Sequence, residues 1–502
     1  MFRALARALT AARAANLRES GLGPPITRRT VLRGAAATGA LALAGCLPGP
    51  RLSETPRIAI VGGGLAGLSA AWRLQNANLA ARVYEASSRV GGRTAATSAD
   101  GLILNTGGEF IDADHTDMLD LAKAFDIELI DRREDTTDAT IPVVAYYFGG
   151  RAIPESELSD ALRPLAVAIG SDADRLDKDK ARTQDALDRL SVADYLDRHA
   201  AELTQPYLRP LIEAAIRSEY GVPPSESSAL QLIALLPTVD GQRVDVLGAS
   251  DEAFVVKGGS AKIAEAVAAR LGGRVETGKR LERIDAVAMG DSYRLTFAGG
   301  ASVEADFVVL AMPHPPLRRV TLNIDIPEKL RRFIAETGPG RNEKLIAPFR
   351  RRAWRTEAGF TGEVWADLGF CEAWDTSVGQ PEHSNGALTF FTGADETRAT
   401  DAAPFVAALD RMIPGLAAEA TGRTVRTNWS ADPLAGGAYT TLRPNQATAF
   451  EDCFWSEERE VRARRVFFAG EQTSEEFYGF MNGAAQTGRL AAAAIVRHVT
   501  GA

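Results

Sequence analysis

The stretch that decides the fold is RIAIVGGGLAG, residues 57–67. After Arg57 it begins with a short apolar run rich in β-branched side chains, which predicts a buried strand of a parallel sheet. Glycines at 62, 64 and 67 follow at the spacing GxGxxG, and apolar residues continue beyond them at helical spacing. A second short strand, residues 81–84, ends at Glu85. Strand, glycines, helix, strand and acid in this order predict a dinucleotide-binding unit.

Each glycine has a physical role in such a unit. Gly62 permits a tight turn, Gly64 lets the backbone approach a pyrophosphate, and Gly67 lets the helix pack on the strand. The amino terminus of the helix offers N–H groups and a positive dipole to phosphates. Glu85 can bind both hydroxyls of a ribose. The predicted cofactor contacts of this unit are Gly62, Gly64, Leu65, Ala66, Gly67, Glu85 and Ala86.

The next segment indicates which dinucleotide is bound. Residues 89–94 read RVGGRT, so that Glu85 opens the arrangement E-x-x-x-R-x-G-G-R. This arrangement resembles the flavin-containing amine oxidase family, which includes monoamine, polyamine and L-amino-acid oxidases. The resemblance implies FAD as the cofactor rather than NAD.

Further segments carry the same resemblance in the family's order, from about residue 56 to 497. They are NTGGEF at 105–110, FVVKGGS at 254–260, FVVLAMP at 307–313, GRNEK at 340–344, GGAYT at 436–440, and the stretch 466–489. The implied fold class is α/β, a Rossmann-like FAD-binding domain of the GR2 type with a discontinuous α+β substrate-binding domain. The expected FAD-binding domain collects residues 55–112, 248–318 and 425–499, and the substrate-binding domain collects residues 113–247 and 319–424.

The resemblance also implies roles for single residues. Lys344 would hold a water near flavin N5 and assist the reaction with oxygen. Tyr439 and Phe480 match an aromatic cage that steers the amine nitrogen, with cation–π attraction aiding its entry. Ala438 stands where some relatives carry a flavin-bonded cysteine, which implies noncovalent FAD. The further cofactor contacts implied are Arg89, Gly91, Gly92, Arg93, Gly108, Glu109, Phe110, Gly470, Glu471, Gly479, Phe480 and Met481.

The predicted reaction is oxidation of an amine to an imine that water hydrolyses, while O₂ becomes hydrogen peroxide. An L-amino acid, basic or broad, is slightly favoured as substrate, and a mono-, di- or polyamine is the alternative. Arg217, Arg341 and Arg443 are candidates for binding a carboxylate, and Glu109 and Asp112 for binding a far ammonium. A dehydrogenase with another electron acceptor and a carotene-desaturase-like enzyme are weaker alternatives.

The amino terminus predicts export. TRRTVLR at 27–33 resembles a twin-arginine signal, and the weakly apolar residues 34–45 follow it. As a helix these residues would span about 18 Å, short of the ~30 Å hydrocarbon core of a membrane. LAGC at 43–46 resembles a lipobox with Cys46 as the acylated residue. We therefore expect the periplasm or cell envelope, with Cys46 as a lipid anchor.

Composition excludes several classes of protein. The chain has 502 residues, a net charge of −8 and 3 cysteines. The negative charge argues against a nucleic-acid-binding surface, and the cysteines and histidines show no metal-ligand spacing. We expect no metal. The oligomeric state stays open, with a homodimer as one alternative.

Overall fold

The computed structural model describes residues 56–501 apart from 133, 135–143, 236–237, 241–242, 246–249, 288–290, 358–361 and 381–383. The predicted export segment, with Cys46, lies outside the described residues. Within them, every helix is too short or too polar to cross a lipid bilayer.

The helices of the described residues are listed in chain order. They are α1 Leu65–Asn76, α2 Thr116–Ala124, α3 Glu155–Lys178, α4 Lys180–Asp188, α5 Val192–Arg198, α6 Leu208–Tyr220, α7 Ala229–Leu235, α8 Ala261–Leu271, α9 His314–Leu317, α10 Glu328–Glu336, α11 Ala353–Thr356, α12 Ala403–Leu409, α13 Leu416–Glu419, α14 Gln446–Ala449 and α15 Met481–Thr500.

The strands follow the same convention. They are β1 Ile58–Val61, β2 Ala81–Tyr84, β3 Ala96–Ala99, β4 Leu102–Asn105, β5 Phe110–Ile111, β6 Leu129–Asp131, β7 Val144–Phe148, β8 Arg151–Ala152, β9 Thr238–Asp240, β10 Arg243–Asp245, β11 Phe254–Val256, β12 Val275–Glu276, β13 Leu281–Val287, β14 Ser292–Phe297, β15 Ser302–Ala305, β16 Phe307–Leu310, β17 Thr321–Asn323, β18 Gly338–Pro339, β19 Asn342–Phe349, β20 Glu363–Ala366, β21 Glu372–Asp375, β22 Gly386–Gly393, β23 Val425–Arg426, β24 Thr440–Thr441, β25 Arg462–Ala463 and β26 Val466–Phe468.

A mostly parallel sheet forms the nucleotide-binding layer, in the spatial order β12-β2-β1-β16-β26-β25. β1 pairs in parallel with β2 and β16, and all of its residues are buried. Such burial is typical of a parallel strand covered by helices. The last helix, α15, packs on the first, α1, where Ser69 Oγ donates a hydrogen bond to the Ala485 carbonyl at 2.9 Å. The predicted Rossmann-like α/β fold is confirmed.

A second, larger sheet has the order β23-β19-β22-β21-β20-β7-β8. One apolar cluster joins its strands to α12 and α13. Another cluster joins Trp365 of β20 to residues of α3 and α5 to α7. This sheet therefore lies among helices in the predicted substrate-binding part of the chain.

Several elements pack differently from the predicted domain ranges, and α2, α10 and β23 are examples. α2 and α10 fall in ranges assigned to the substrate-binding domain, yet Met118, Leu121 and Phe333 belong to the core of the parallel sheet. β23 lies in a range assigned to the FAD-binding domain, yet it pairs with β19 of the large sheet. A short connecting element buries its apolar face against the layer that is nearer in space. The position of the element in the sequence does not show which layer that is.

Candidate active site

A cavity of about 650 Å³ lies between the parallel sheet and the large sheet. On one side it is lined by Val61 and Tyr84, the last residues of β1 and β2, and on the other by residues of β19, β21 and β22. Open α/β sheets bind ligands at the carboxyl ends of their parallel strands. The cavity is therefore where this fold is expected to hold a nucleotide.

The glycines of the first motif have distinct structural roles. Gly62 has a φ of +110°, and a Cβ there would lie 2.2 Å from the Ala311 carbonyl oxygen. A Cβ on Gly67 would lie 2.0 Å from the Gly62 carbonyl oxygen, so α1 rests directly on the end of β1. A Cβ on Gly64 would meet only the Gly91 carbonyl oxygen, at 4.0 Å, and would project into the cavity. Gly67 is thus a packing residue that does not line the cavity, contrary to its prediction as a cofactor contact.

The first turn of α1 lines the same part of the cavity through Leu65 and Ala66. The first N–H groups of a helix have no acceptor within the helix and carry its positive dipole end. Gly64 therefore leaves room for a ligand at a point where backbone donors are available to an anion.

Glu85 lies at the tip of β2 on the cavity wall. Its carboxylate is buried and accepts hydrogen bonds from the N–H groups of Gly63, at 2.6 Å, and Ser87, at 2.7 Å. These bonds fix a negatively charged acceptor at the position predicted for the ribose. The predicted contacts Ala86, Arg89, Gly91 and Gly92 also line the cavity, and Arg89 donates to the Gly92 carbonyl at 2.7 Å.

Lys344 lies on the opposite wall, within β19, and is buried. Its Nζ donates to Glu109 Oε2 at 2.6 Å and to the Asn105 carbonyl at 3.1 Å. Glu109 Oε1 accepts a hydrogen bond from Thr376 Oγ1 at 2.7 Å. Both oxygens of this carboxylate are therefore engaged by the protein. Glu109 lines the cavity as predicted, and it is there the counter-ion of Lys344.

Aromatic rings line the cavity near Lys344. Tyr439 and Phe480 line it as predicted, and Trp374, Phe391 and Phe110 add to them. Among these residues, Trp374 and Phe391 were missed by sequence analysis. They lie in β21 and β22, which carry no motif, and reach the cavity only through strand pairing.

Loops from three parts of the chain meet at Glu471. Its Oε1 accepts from Arg93 Nη1 at 2.8 Å and its Oε2 accepts from the Gly479 N–H at 2.7 Å. Arg93 also donates to the Ala438 carbonyl at 2.7 Å. These bonds hold the cavity wall together at the amino-terminal end of α15. The remaining predicted contacts that line the cavity are Gly108, Gly470 and Met481.

The predicted carboxylate-binding arginines do not line the cavity. Each arginine is instead paired with an acid outside the cavity. Because these acids are distant in sequence, the pairs could not be predicted from the sequence. The partners are Glu396 at 3.2 Å for Arg217, Asp395 at 3.5 Å for Arg341, and Glu226 at 2.8 Å for Arg443. The structure therefore does not bring any of these three arginines to the cavity wall.

Asp112 is buried and does not line the cavity either. Its Oδ1 accepts hydrogen bonds from Ser250 Oγ and from the Glu252 N–H, both at 3.0 Å. Burial raises the pKa of Asp112 to about 7. It is a structural acid rather than a residue on the wall of the cavity.

Two other buried acids, Glu219 and Glu372, lie beside Tyr439 and were missed by sequence analysis. Ser218 links them to the cavity wall, because its carbonyl accepts from the Tyr439 hydroxyl and its own hydroxyl donates to Glu372 Oε1 at 2.6 Å. Glu372 pairs across the sheet with Phe391, so both side chains lie on one face. Burial raises the pKa of Glu372 to about 8 and that of Glu219 to about 7. In the described residues neither has a basic partner within 4 Å.

The model of the family described as flavin containing amine oxidoreductase matches residues 65–496 of this chain. The chain belongs to that family. The chain is 26% identical to (S)-6-hydroxynicotine oxidase from Paenarthrobacter nicotinovorans over 449 residues, which covers 87% of this chain and 98% of that protein. Cyclohexylamine oxidase from Brevibacterium oxydans has a similar fold, with a TM-score of 0.75, 22% identity, and coverage of 89% of this chain and 100% of that one.

Putrescine oxidase with bound putrescine is a further structural neighbour. Its TM-score is 0.72 at 21% identity, with coverage of 88% of this chain and 99% of that one. Membership of the family makes this protein an FAD-dependent amine oxidoreductase, as the resemblance implied.

The residues on the cavity wall fit FAD. Because Gly64 has no side chain, the space beside the first N–H groups of α1 stays open for the pyrophosphate. Glu85 presents a charged acceptor for ribose hydroxyls at one end. Lys344 and the aromatic rings line the other end of the cavity, where the flavin ring would lie. One continuous cavity thus offers a suitable group for each part of the cofactor.

Proposed function

We propose that this enzyme oxidises an amine that carries no carboxylate, with dioxygen as the electron acceptor. The observation that carries the proposal is the chemistry of the cavity wall near Lys344. The three arginines predicted to bind a carboxylate are paired with acids outside the cavity. Behind the wall, the buried acid Glu372 is linked to Tyr439 through Ser218. A substrate carboxylate would meet aromatic rings and the Glu109 carboxylate on this wall, whereas an ammonium would find favourable partners in both.

FAD, when bound, accepts a hydride equivalent from the carbon next to the nitrogen. The rings of Tyr439 and Phe480 bind and orient the amine by contact and by cation–π attraction. Trp374 and Phe391 make the same part of the cavity apolar and limit the entry of water. Lys344 holds a positive charge, balanced by Glu109, on the wall where dioxygen is reduced.

Noncovalent binding of FAD is part of the proposal. Ala438 lines the cavity at the position of the flavin-bonded cysteine in some relatives. The described cysteines, Cys371 and Cys453, are buried and neither lines the cavity. Release of free FAD on acid denaturation would support this part of the proposal, and flavin that stays with the precipitated protein would refute it.

Glu372 favours a diamine over a monoamine. A buried carboxyl group must be protonated or paired with a cation. Burial raises the pKa of Glu372 to about 8, so this group holds a proton when no cation is near. Glu372 does not itself line the cavity, but a second ammonium beside Tyr439 would bring a positive charge close to it, with Ser218 between them. The structural neighbour with bound putrescine makes a four-carbon diamine the first compound to test.

The test compares compounds that differ by one group. Holoenzyme is mixed without oxygen with butane-1,4-diamine, with butylamine, which lacks the second amine, and with L-ornithine, which adds a carboxylate. We expect the diamine to bleach the visible band of oxidised flavin fastest and L-ornithine not to bleach it. Fast bleaching by L-ornithine with none by the diamine would refute the proposal.

Admission of air after bleaching then tests the electron acceptor. Rapid return of the oxidised band with formation of hydrogen peroxide would support an oxidase. Slow return would favour a dehydrogenase that passes its electrons to another acceptor.

We also propose export by the twin-arginine route, with Cys46 as a lipid anchor. The proposal is supported by the sequence of residues 27–46 alone. Fractionation of cells that express wild-type and Cys46→Ala protein tests it. We expect wild type in the membrane fraction and the variant in the soluble periplasm, and equal distribution would refute the anchor.

A further inference from the structure

A second cavity, of about 230 Å³, lies behind the wall that carries Glu109. Its outer end is lined by the exposed residues Gly101, Lys257 and Gly258. Its inner end is lined by the buried residues Asn105 and Thr376, together with Glu109. The cavity therefore leads from solvent towards Lys344, because Glu109 and Asn105 are the two residues to which Lys344 Nζ donates.

The wall between the two cavities is one side chain thick. Glu109 and Phe110 line both of them. The Phe110 ring lies between the Arg132 guanidinium, whose carbon is 4.2 Å from the ring centroid, and the Trp374 ring, at 5.5 Å. Trp374 in turn lies 5.3 Å from Lys344 Nζ. A small molecule at the inner end would thus be separated from Lys344 only by the Glu109 carboxylate and the Phe110 ring.

The size and lining of the second cavity determine which class of molecule can move through it. Its volume equals that of about eight water molecules in the liquid. The hydrogen bond between Thr376 and Glu109 closes the inner end to anything as large as an amine substrate. The lining combines the apolar side chains of Ile103, Ile130 and Val378 with charged side chains, which include Arg132, Lys257 and Asp375. The apolar side chains give an uncharged gas a path on which no ion has to be desolvated.

We propose that the second cavity is the route by which dioxygen reaches Lys344, separate from the cavity that binds the amine. The proposal rests on the proposed use of dioxygen as acceptor. The reaction that the route serves is reduction of dioxygen, by the two electrons held on the reduced cofactor and two protons, to hydrogen peroxide. With FAD and product filling the large cavity, a second route lets this step proceed before the product leaves.

The test narrows the route without touching the residues around Lys344. Val378 is half-buried and lines only the second cavity, so Val378→Trp fills it, and Val378→Phe fills it less in case the larger variant does not fold. Val167→Trp adds the same ring on the exposed surface of α3 as a matched control. Holoenzymes are reduced by light, without any amine, and mixed with oxygenated buffer while return of the oxidised flavin band is followed.

We expect Val378→Trp to slow re-oxidation by about tenfold, equivalent to about 1.4 kcal/mol in the barrier, and Val167→Trp to leave it unchanged. Anaerobic bleaching by the diamine should stay at the wild-type rate in all variants. Rapid re-oxidation at equal rates in wild type and Val378→Trp would overturn the route alone. Slow re-oxidation of wild type would overturn the oxygen acceptor as well, so the two failures are distinguishable.

A crystal of the holoenzyme under xenon pressure gives a measurement that does not depend on turnover. Xenon is an apolar gas atom whose position marks gas-accessible space. We expect xenon in the second cavity of wild type and none there in Val378→Trp. Xenon confined to the large cavity in wild type would contradict the proposal.

Discussion

Gly64 and Gly67 lie three residues apart in one motif, yet the same substitution to alanine should damage two different properties. At Gly67 the new methyl carbon would lie 2.0 Å from the Gly62 carbonyl oxygen and 3.1 Å from Ile60 Cγ2. Ordinary contacts of a Cβ begin at 3.4 Å, so α1 would have to move more than 1 Å away from β1.

The magnitude follows from two opposing terms. Alanine stabilises a helix interior by about 1 kcal/mol relative to glycine. Overpacking of a tight core contact costs about 1–3 kcal/mol and more when backbone must move. At Gly67 the clash is with a backbone carbonyl, so we expect the Gly67→Ala apoprotein to lose about 2 kcal/mol of unfolding free energy.

Gly64 should behave in the opposite way. Its backbone angles, φ −79° and ψ −177°, are allowed for alanine, and the new methyl carbon would meet nothing closer than 4.0 Å. The apoprotein of Gly64→Ala should therefore stay within about 0.5 kcal/mol of wild type. The methyl occupies cavity space predicted for the pyrophosphate, so FAD affinity should fall at least about tenfold, or about 1.4 kcal/mol.

Urea unfolding of the two apoproteins and titration with FAD, followed by quenching of flavin fluorescence, measure both quantities. A loss of apoprotein stability in Gly64→Ala as large as that in Gly67→Ala would refute the different roles assigned to the two glycines. Wild-type affinity of Gly64→Ala for FAD would refute the role of Gly64 equally.

Three further predictions concern substitutions of charged side chains. The fold raises the pKa of Glu372 from 4.5 to about 8, so the folded state holds this proton more tightly than the unfolded state, and wild type loses stability as pH rises through that range. Glu372→Gln has no such proton to lose. Urea unfolding at pH 5 and pH 9 should therefore show that the unfolding free energy of the variant rises relative to that of wild type at pH 9. An equal change with pH in both proteins would contradict the raised pKa of Glu372. Arg93→Met leaves Glu471 without its cation and should cost about 2 kcal/mol in thermal unfolding, which is less than the about 3–5 kcal/mol of a fully buried pair because Arg93 is partly exposed. Arg443→Ala breaks only an exposed pair, so amine oxidation should stay at the wild-type rate, and a large loss would restore Arg443 as a substrate contact.

Local motifs predicted much of the nucleotide-binding unit. β1 and β2 were predicted at residues 57–61 and 81–84 and lie at Ile58–Val61 and Ala81–Tyr84. The turn, the glycines and the acid are all set by neighbours in sequence, so a single sequence carries enough information for them. Lys344, Tyr439 and Phe480 were placed by family resemblance, and all three line the cavity.

The rest of the site depends on contacts between distant segments. Glu372 faces the same side of the sheet as Phe391 only because β21 and β22 pair in one register. Arg217 is paired with Glu396, which lies 179 residues away in sequence, and it does not line the cavity. Neither the register nor the partner has a local signal, so a single sequence could not place these side chains.

The order of strands in the parallel sheet also governs when the protein can acquire its cofactor. β1 needs β16 as a neighbour, and α1 needs α15, which begins at Met481. A ribosome adds roughly 5–20 residues per second, so the first helix waits roughly 20–80 s for the last one to be made. Through that interval the nascent chain has the first glycine loop but no surface to close over it. Capture of FAD therefore waits until α15 has been made, and a premature stop before α15 leaves a chain without a closed site for the flavin.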